Sequence, residues 1–380
     1  MTGALNSMRI AVLGLRSIGG ECSGGIERHV QELSTRMVER GHDVTVFCRS
    51  KYNDLGSDFV GIHLKNRPAV YSKHLEAITH TVATMPSVLF GYDIVHIHAT
   101  GPSLLSWIPR LAGMATIVTV HGLDHLRAKW GGMASLVLKA GAWTSAHCPS
   151  KTIVVSNVLR EHYLSKYGRQ AVYIPNGIAE PTSRPLERLK RFGLESGRYI
   201  LSLGRLVPEK GIHYLIKAFR SLDTDLRLAI VGEDSLSGGY LARLKELAGN
   251  DERIVFTGPL FDMDKDEAFS NAKLFCIPSD LEGMPIAMLE AMSYGCPTLS
   301  SDIQECLEVY SGQEGQIGYA FRQGDASDLS GKLNILISSG NLGHIGKSGR
   351  DFVLSEYNWD DITSKTLDVY SQACRINQSK

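Results

Sequence analysis

The stretch Glu282-Gly-Met-Pro-Ile-Ala-Met-Leu-Glu290, read together with Arg205-Leu-Val-Pro-Glu-Lys210 upstream, decides how this chain is interpreted. Pro285 suits the first position of a helix, where its missing N–H costs nothing. Gly295 suits the C-cap, and Pro297 follows it. Glu282 then sits just before a helix and Glu290 on it. The amides of Gly283, Met284 and Ile286 face whatever lies beyond the helix start, which makes an anion site. Arg205 and Lys210 are natural phosphate partners, one as a planar fork and the other as a point charge. Carboxylates suit the hydroxyls of a sugar or a ribose. Together these residues predict a pocket for a nucleotide diphosphate-sugar.

Outward from this stretch, short apolar runs alternate with amphipathic segments, the mark of parallel α/β units. Arg9–Leu15 reads as a strand buried on both faces. It runs into a glycine-rich turn and a helix over Ile26–Arg40, and Gly41 caps that helix. Further strands are expected at Asp43–Cys48, Ile94–His98, Ile117–His121, Thr152–Ser156 and Ala171–Ile174. A second series is expected at Tyr199–Leu203, Arg227–Val231, Ile254–Phe256, Leu274–Ile277 and Pro297–Ser300. Between the series lies Pro175-Asn-Gly-Ile-Ala-Glu-Pro-Thr-Ser-Arg-Pro185, whose turn formers mark an interdomain linker. The expected division is an N-terminal domain over 1–178, a second domain over 179–358, and a C-terminal helix over 359–380 returning to the first.

Composition sets the outer bounds. The 380 residues suit two domains, and 43% hydrophobic with 21% charged residues is ordinary for a globular chain. Net charge is zero, yet residues 1–170 hold 18 basic and 11 acidic side chains. The segment Asn66–Leu89 interleaves Arg67, Lys73, His74 and His80 with Val70, Leu75, Ile78, Val82 and Met85. It reads as a basic amphipathic helix that Pro86 ends early, suited to an anionic membrane surface. Seven cysteines (Cys22, Cys48, Cys148, Cys276, Cys296, Cys306, Cys374) include no C-x-x-C pair, which argues against a disulfide framework or a zinc site and fits a reducing cytosol. No run of 18 apolar residues is present. Residues 1–7 are expected to be a disordered tail.

Several motifs carry less weight. About eight residues of helical rise would place Glu282 and Glu290 roughly 12 Å apart, too far to share one metal ion. Gly24-Gly25 permits close backbone approach by a ligand. Gly14-Leu-Arg-Ser-Ile-Gly-Gly does not match G-x-G-x-x-G, so a dehydrogenase fingerprint is missing. His121 ends a strand, where it faces a ligand crevice. His96 and His98 share a strand face, but no third metal ligand is suggested. Gly346-Lys347-Ser348 resembles the end of a P-loop, but the required first glycine would be Asn341, and no strand leads into it.

These features resemble the retaining glycosyltransferases of family 4, with the GT-B fold of two Rossmann-like doubly wound domains facing a central cleft. The resemblance covers nearly the whole chain from Met8. Its carriers are Gly24-Gly25, His121-Gly122, Ile174-Pro-Asn-Gly177, Gly204-Arg205 with Lys210-Gly211, and Glu282 with Glu290 in E-x7-E spacing. It implies that Arg205 and Lys210 hold the donor diphosphate and that Glu290 binds the ribose. Glu282 and the amides of Gly283, Met284 and Ile286, with Pro285 in the same turn, would hold the donor sugar and its phosphate. His121 would sit near the reacting carbon, and Gly24 and Gly25 near the phosphates. The base would lie near Thr257 and Leu260.

The resemblance further implies transfer with retention and no metal or other cofactor. The nucleotide-sugar is the co-substrate, a UDP- or GDP-sugar. The acceptor would be a glycan or a lipid-linked one, in bacterial surface polysaccharide or glycolipid synthesis. The expected location is the cytoplasm with peripheral contact at the inner face of the membrane, and no nucleic-acid partner is implied. Gly232-Glu233-Asp234 departs from the family's usual Gly-x-Gly at that strand end. Two alternatives remain: a non-hydrolysing nucleotide-sugar 2-epimerase, which shares the fold, and a non-catalytic nucleotide-sugar-binding protein.

Overall fold

The computed structural model describes residues 7–19, 24–72, 75–123, 132–234 and 239–378. Cys22, Lys73, His74 and most of the proposed N-terminal tail lie outside these. The chain forms two compact units: Met1–Gly177 with Trp359–Lys380, and Ile178–Asn358.

The first unit is built on eight strands: β1 (Arg9–Leu13), β2 (Asp43–Arg49), β3 (Asp58–Phe59), β4 (Ile62–Arg67), β5 (Ile94–His98), β6 (Ala115–Val120), β7 (Lys151–Val154) and β8 (Val172–Tyr173). Their order is β3-β4-β2-β1-β5-β6-β7-β8, and only the β3–β4 pair is antiparallel. β5 and β6 are buried along their whole length, as strands covered on both faces must be. The helix Gly25–Glu39 lays Val30, Leu33 and Met37 on this sheet at helical spacing. The last helix, Trp359–Gln378, packs on β6 and on helix Gly25–Glu39. Tyr370 from it meets His96 Nδ1 at 2.7 Å.

The second unit holds β9 (Tyr199–Leu203), β10 (Arg227–Val231), β11 (Ile254–Gly258), β12 (Leu274–Ile277), β13 (Thr298–Ser301) and β14 (Tyr319–Phe321). The order β11-β10-β9-β12-β13-β14 is parallel throughout. Strand order reverses between β9 and β12, the topological switch point where open α/β sheets take ligands. The helix Ile212–Arg220 buries Ile212, Leu215, Ile216 and Phe219 in the core against this sheet.

The structure corrects some expectations. β1 stops at Leu13 because the chain turns at Gly14, with φ +106°, where a Cβ would come within 2.2 Å of the His98 carbonyl oxygen. β3, β4 and β14 were not expected; β4 alternates Ile62 and Leu64 inward with polar neighbours outward, as a flanking strand does. The basic amphipathic helix does not form as read. The helix spans Glu76–Val88 with Pro86 inside it, and Arg67 is on β4 with its guanidinium bound to Ser87 Oγ. His80 is fully buried and held near pKa 4, chiefly by burial and then by Arg49, so it presents no charge to solvent.

One buried carboxylate ties the entry of the second unit to its site. Glu267, on the helix Asp262–Ser270, accepts the backbone N–H groups of Glu187, Arg188 and Leu189 at 3.0, 2.9 and 3.2 Å. The same helix carries Lys265, which holds Glu290. Leaving the buried Leu189 amide and the part-buried amides of Glu187 and Arg188 without a charged acceptor costs roughly 2–3 kcal/mol. Glu267→Ala is therefore expected to lower unfolding stability by about that amount in urea titration, with a smaller loss for Glu267→Gln, which keeps an acceptor oxygen.

Candidate functional site

At the switch point of the second sheet, β9 runs out through Gly204 into Arg205, then into a single 3₁₀ turn, Pro208–Lys210. Arg205 is exposed. Gly211 takes φ +64°, and a Cβ there would lie 1.8 Å from the Pro278 carbonyl oxygen. The loop after β9 is thereby pressed onto the loop after β12, and the Asp280 amide donates to the Glu209 carbonyl at 2.9 Å. This brings Lys210 to Glu282: Nζ lies 2.5 Å from Oε1, with the Lys210 side chain 23% and the Glu282 side chain 8% exposed. Ser279 Oγ donates to the same oxygen at 2.7 Å. Ser279 was not read from the sequence, where a serine three residues before a glutamate in a loop carries no signal.

The helix after β12 spans Ile286–Ser293, so Pro285 occupies the capping position rather than the first turn. The Ile286 amide donates to the Met284 carbonyl at 2.9 Å, which corrects its reading as a free anion donor. Gly283, Met284 and Pro285 are buried. Gly295, with φ +73°, follows the helix, and its amide donates to the Met292 carbonyl at 2.8 Å. Glu290 is half-buried, and Lys265 Nζ meets its Oε1 at 2.6 Å. The two glutamates thus answer to two different lysines. Lys265 was also missed, because nothing in the sequence joins residues 25 apart on different helices.

Thr257 lies on β11, not in the loop beyond it, and its hydroxyl donates to the Gly258 carbonyl at 2.8 Å. Leu260 is buried, which removes most of its side chain from a base. At the departing motif, the Leu206 amide donates to the Glu233 carbonyl at 2.9 Å, and Asp234 Oδ2 accepts the Gly239 amide at 3.0 Å. Asp234 is therefore occupied in its own loop.

In the first unit, Gly24 stands at the N-cap of the helix Gly25–Glu39 and both glycines are exposed. His121 directly follows β6 and is half-buried. Its Nε2 lies 3.0 Å from His98 Nδ1, and the two rings stack with centroids 5.3 Å apart. His29, from the helix Gly25–Glu39, approaches His121 edge-on at 4.9 Å and bonds Asn176 Oδ1 through Nδ1 at 2.8 Å. His96 is satisfied on both nitrogens, by Tyr370 and by Thr119 Oγ1. Burial, then repulsion from neighbouring histidines, pushes His98 and His121 well below the ordinary imidazole range, and burial holds His29 near 4. All three rings are neutral near pH 7. His121 there offers hydrogen bonds, not an imidazolium proton.

Residues 23–180 match the family described as Glycosyltransferase Family 4, and residues 187–351 match the family described as Glycosyl transferases group 1. Phosphatidyl-myo-inositol mannosyltransferase of Mycobacterium leprae (strain TN) is 26% identical over 362 residues, 91% of this chain and 92% of that protein. A GDP-mannose-dependent alpha-(1-6)-phosphatidylinositol monomannoside mannosyltransferase of Mycobacterium tuberculosis is 27% identical over 91% of this chain and 94% of its own length. The structure of Anabaena HepE in complex with UDP-glucose overlays with a TM-score of 0.78 at 18% identity, covering 96% of this chain and 99% of HepE. With a match to one glycosyltransferase family in each unit, two Rossmann-like sheets and a carboxylate–lysine cluster at the second switch point, the chain is a glycosyltransferase of the GT-B fold.

Proposed function

We propose that the chain transfers a hexose from a nucleotide diphosphate-sugar to a lipid-linked or glycan acceptor, with retention of configuration and without a metal ion. The observation that carries this reading is the Lys210–Glu282 contact at the β9/β12 switch point, with Arg205 on the same loop. Lys210 and Arg205 supply the charge that would stabilise the departing diphosphate, the role magnesium plays elsewhere. Glu282 would engage the donor sugar and Glu290 the ribose. The neutral His121 would hydrogen-bond a hydroxyl near the reacting carbon. The nucleoside diphosphate departs and the acceptor attacks on the same face of the sugar, and a phosphate oxygen of the leaving group takes the acceptor's proton. The mannosyltransferase relatives favour a GDP-mannose-type donor and an inositol phospholipid-type acceptor.

Lys210→Ala and Arg205→Ala are each expected to lower turnover by about two to three orders of magnitude, as loss of one preorganised charge contact does. Turnover is read by release of nucleoside diphosphate with GDP-mannose and UDP-glucose as donors. Near wild-type rates in both variants would remove the phosphate role. Epimerised donor in the absence of any acceptor would favour the epimerase instead.

Turnover is expected to survive EDTA. Full loss on chelation, restored by magnesium or manganese, would show that a metal rather than Arg205 and Lys210 carries the diphosphate charge.

Membrane contact belongs to the same reading, on a different surface from the one expected. No helix among the described residues is long and apolar enough to cross a membrane. The helix Gly132–His147 buries Leu138 and Ala142 but exposes Leu136 (66%), Val137 and Trp143 (53%) beside Lys139. A tryptophan among exposed aliphatic side chains and a lysine suits the lipid interface. Trp143→Ala and Leu136→Ser together are expected to reduce co-sedimentation with anionic phospholipid vesicles severalfold and to leave binding to a water-soluble donor unchanged. Equal sedimentation of variant and wild type would remove this surface from the reading.

A further inference from the structure

His29, His98 and His121 come from three separate elements: a helix, the end of β5 and the residue after β6. One ring nitrogen from each lies within 4.8 Å of the other two. His98 and His121 already stand 3.0 Å apart, nitrogen to nitrogen. Two imidazoles on one zinc ion, at bonds of about 2.0–2.1 Å and tetrahedral angles, have nitrogens roughly 3.3 Å apart. Closing the widest spacing of the triad to that distance takes a movement of up to about 1.5 Å.

The surroundings are those of a ligand set rather than of three packing residues. His29 is 4% and His98 0% exposed, and His98 turns its Nδ1 to His121 Nε2, so ligation through Nδ1 leaves the ring proton on Nε2. The Asn176 oxygen can accept only from an N–H, so it fixes the proton on His29 Nδ1 and leaves the lone pair on Nε2. A carbonyl oxygen behind an imidazole is the usual way a metal-binding histidine is oriented. His96, one turn of the pleat away, shows the contrast: both of its nitrogens are spoken for by Tyr370 and Thr119.

We propose that His29, His98 and His121 form a site for a divalent transition ion of the zinc class, with a fourth position open. Three imidazoles suit zinc, copper or nickel and not magnesium or calcium, which take oxygen ligands. Such an ion takes the lone pair of His121, so occupancy and sugar transfer exclude one another. The site is inhibitory, and it leaves the metal-free transfer intact. The inhibitory part rests on the transfer reading of His121; the binding part does not.

The test uses the full chain stripped with EDTA and then titrated with zinc ion by calorimetry, with cobalt ion absorption as an independent report of imidazole ligation. One saturable site per chain is expected, lost in His29→Gln and in His98→Gln. Asn176→Ala, which leaves all three ligands, is expected to weaken binding tenfold to a hundredfold. Circular dichroism identifies any variant that fails to fold, and Asn176→Ala keeps the question answerable if a histidine variant does. Nucleotide release by the wild type is expected to fall as zinc fills the site and to recover on chelation, with His29→Gln insensitive to the same zinc concentration. Absence of a saturable site, or equal binding by wild type and variants, overturns the site. Binding that leaves nucleotide release untouched overturns the inhibition. If no nucleotide release is found under any condition, the transfer reading fails, and the calorimetric result still stands or falls on its own.

Discussion

A parallel strand covered by helices on both faces has no place for an unpaired polar side chain except at its ends. The strands of both sheets obey this: β5 and β6 are buried throughout, and most of β9, β10 and β12 are as well. Polar chemistry is therefore driven to the loops after the strands, and parallel pairing sends all of those loops to one edge. Where strand order reverses, side chains of two adjacent loops come together at the sheet's edge. In the second unit this point lies at the ends of β9 and β12, where the two loops meet and Arg205, Lys210, Ser279 and Glu282 stand. In the first unit His98 and His121 end adjacent strands for the same reason. The site residues are consequences of the sheet's burial as much as of selection for a ligand.

Electrostatics then divides the labour between the units. In the second, Lys210 pairs with Glu282 and Lys265 with Glu290, so a charged ligand there would exchange one set of charge contacts for another. In the first, the ionisable groups at the strand ends are imidazoles that burial strips of charge. Paired ions suit a charged leaving group, whereas neutral rings suit hydroxyls or a soft metal ion. The same helix, Asp262–Ser270, anchors both fold and site, through Glu267 on the entering chain and Lys265 on Glu290. A change in that helix would be felt in stability and at Glu290 together.

Much of this was legible in the chain itself. Buried strands leave runs of Val, Ile and Leu, so Ile94–His98, Tyr199–Leu203, Arg227–Val231 and Leu274–Ile277 could be read with their exact bounds. Glu282 and Lys210 could be named because glycine and proline punctuate the loops that hold them. The last helix could be placed by its length and pattern. These are local signals, set by backbone restriction and by the period of apolar residues, and they need no knowledge of what lies across the core.

Other features had no local signal. Lys265 meets Glu290 and Ser279 meets Glu282 because separate segments are folded onto one another, and a lysine or serine in isolation reads as solvated. His80 looked like part of a basic face, but the sheet covers it, and desolvation takes its charge. The amide of Ile286 looked free until the turn at Met284 claimed it. His29 is the sharpest case: it sits in the second turn of a helix with an ordinary amphipathic pattern, and only the fold brings its ring to those of His98 and His121. The sequence by itself determined most of the strands, the glycine turns and the charged residues of the loops after β9 and β12, because each is written in neighbouring residues. The tertiary structure alone decided which side chains meet and which ionisable groups lose their charge, because both depend on burial by residues far away in the chain.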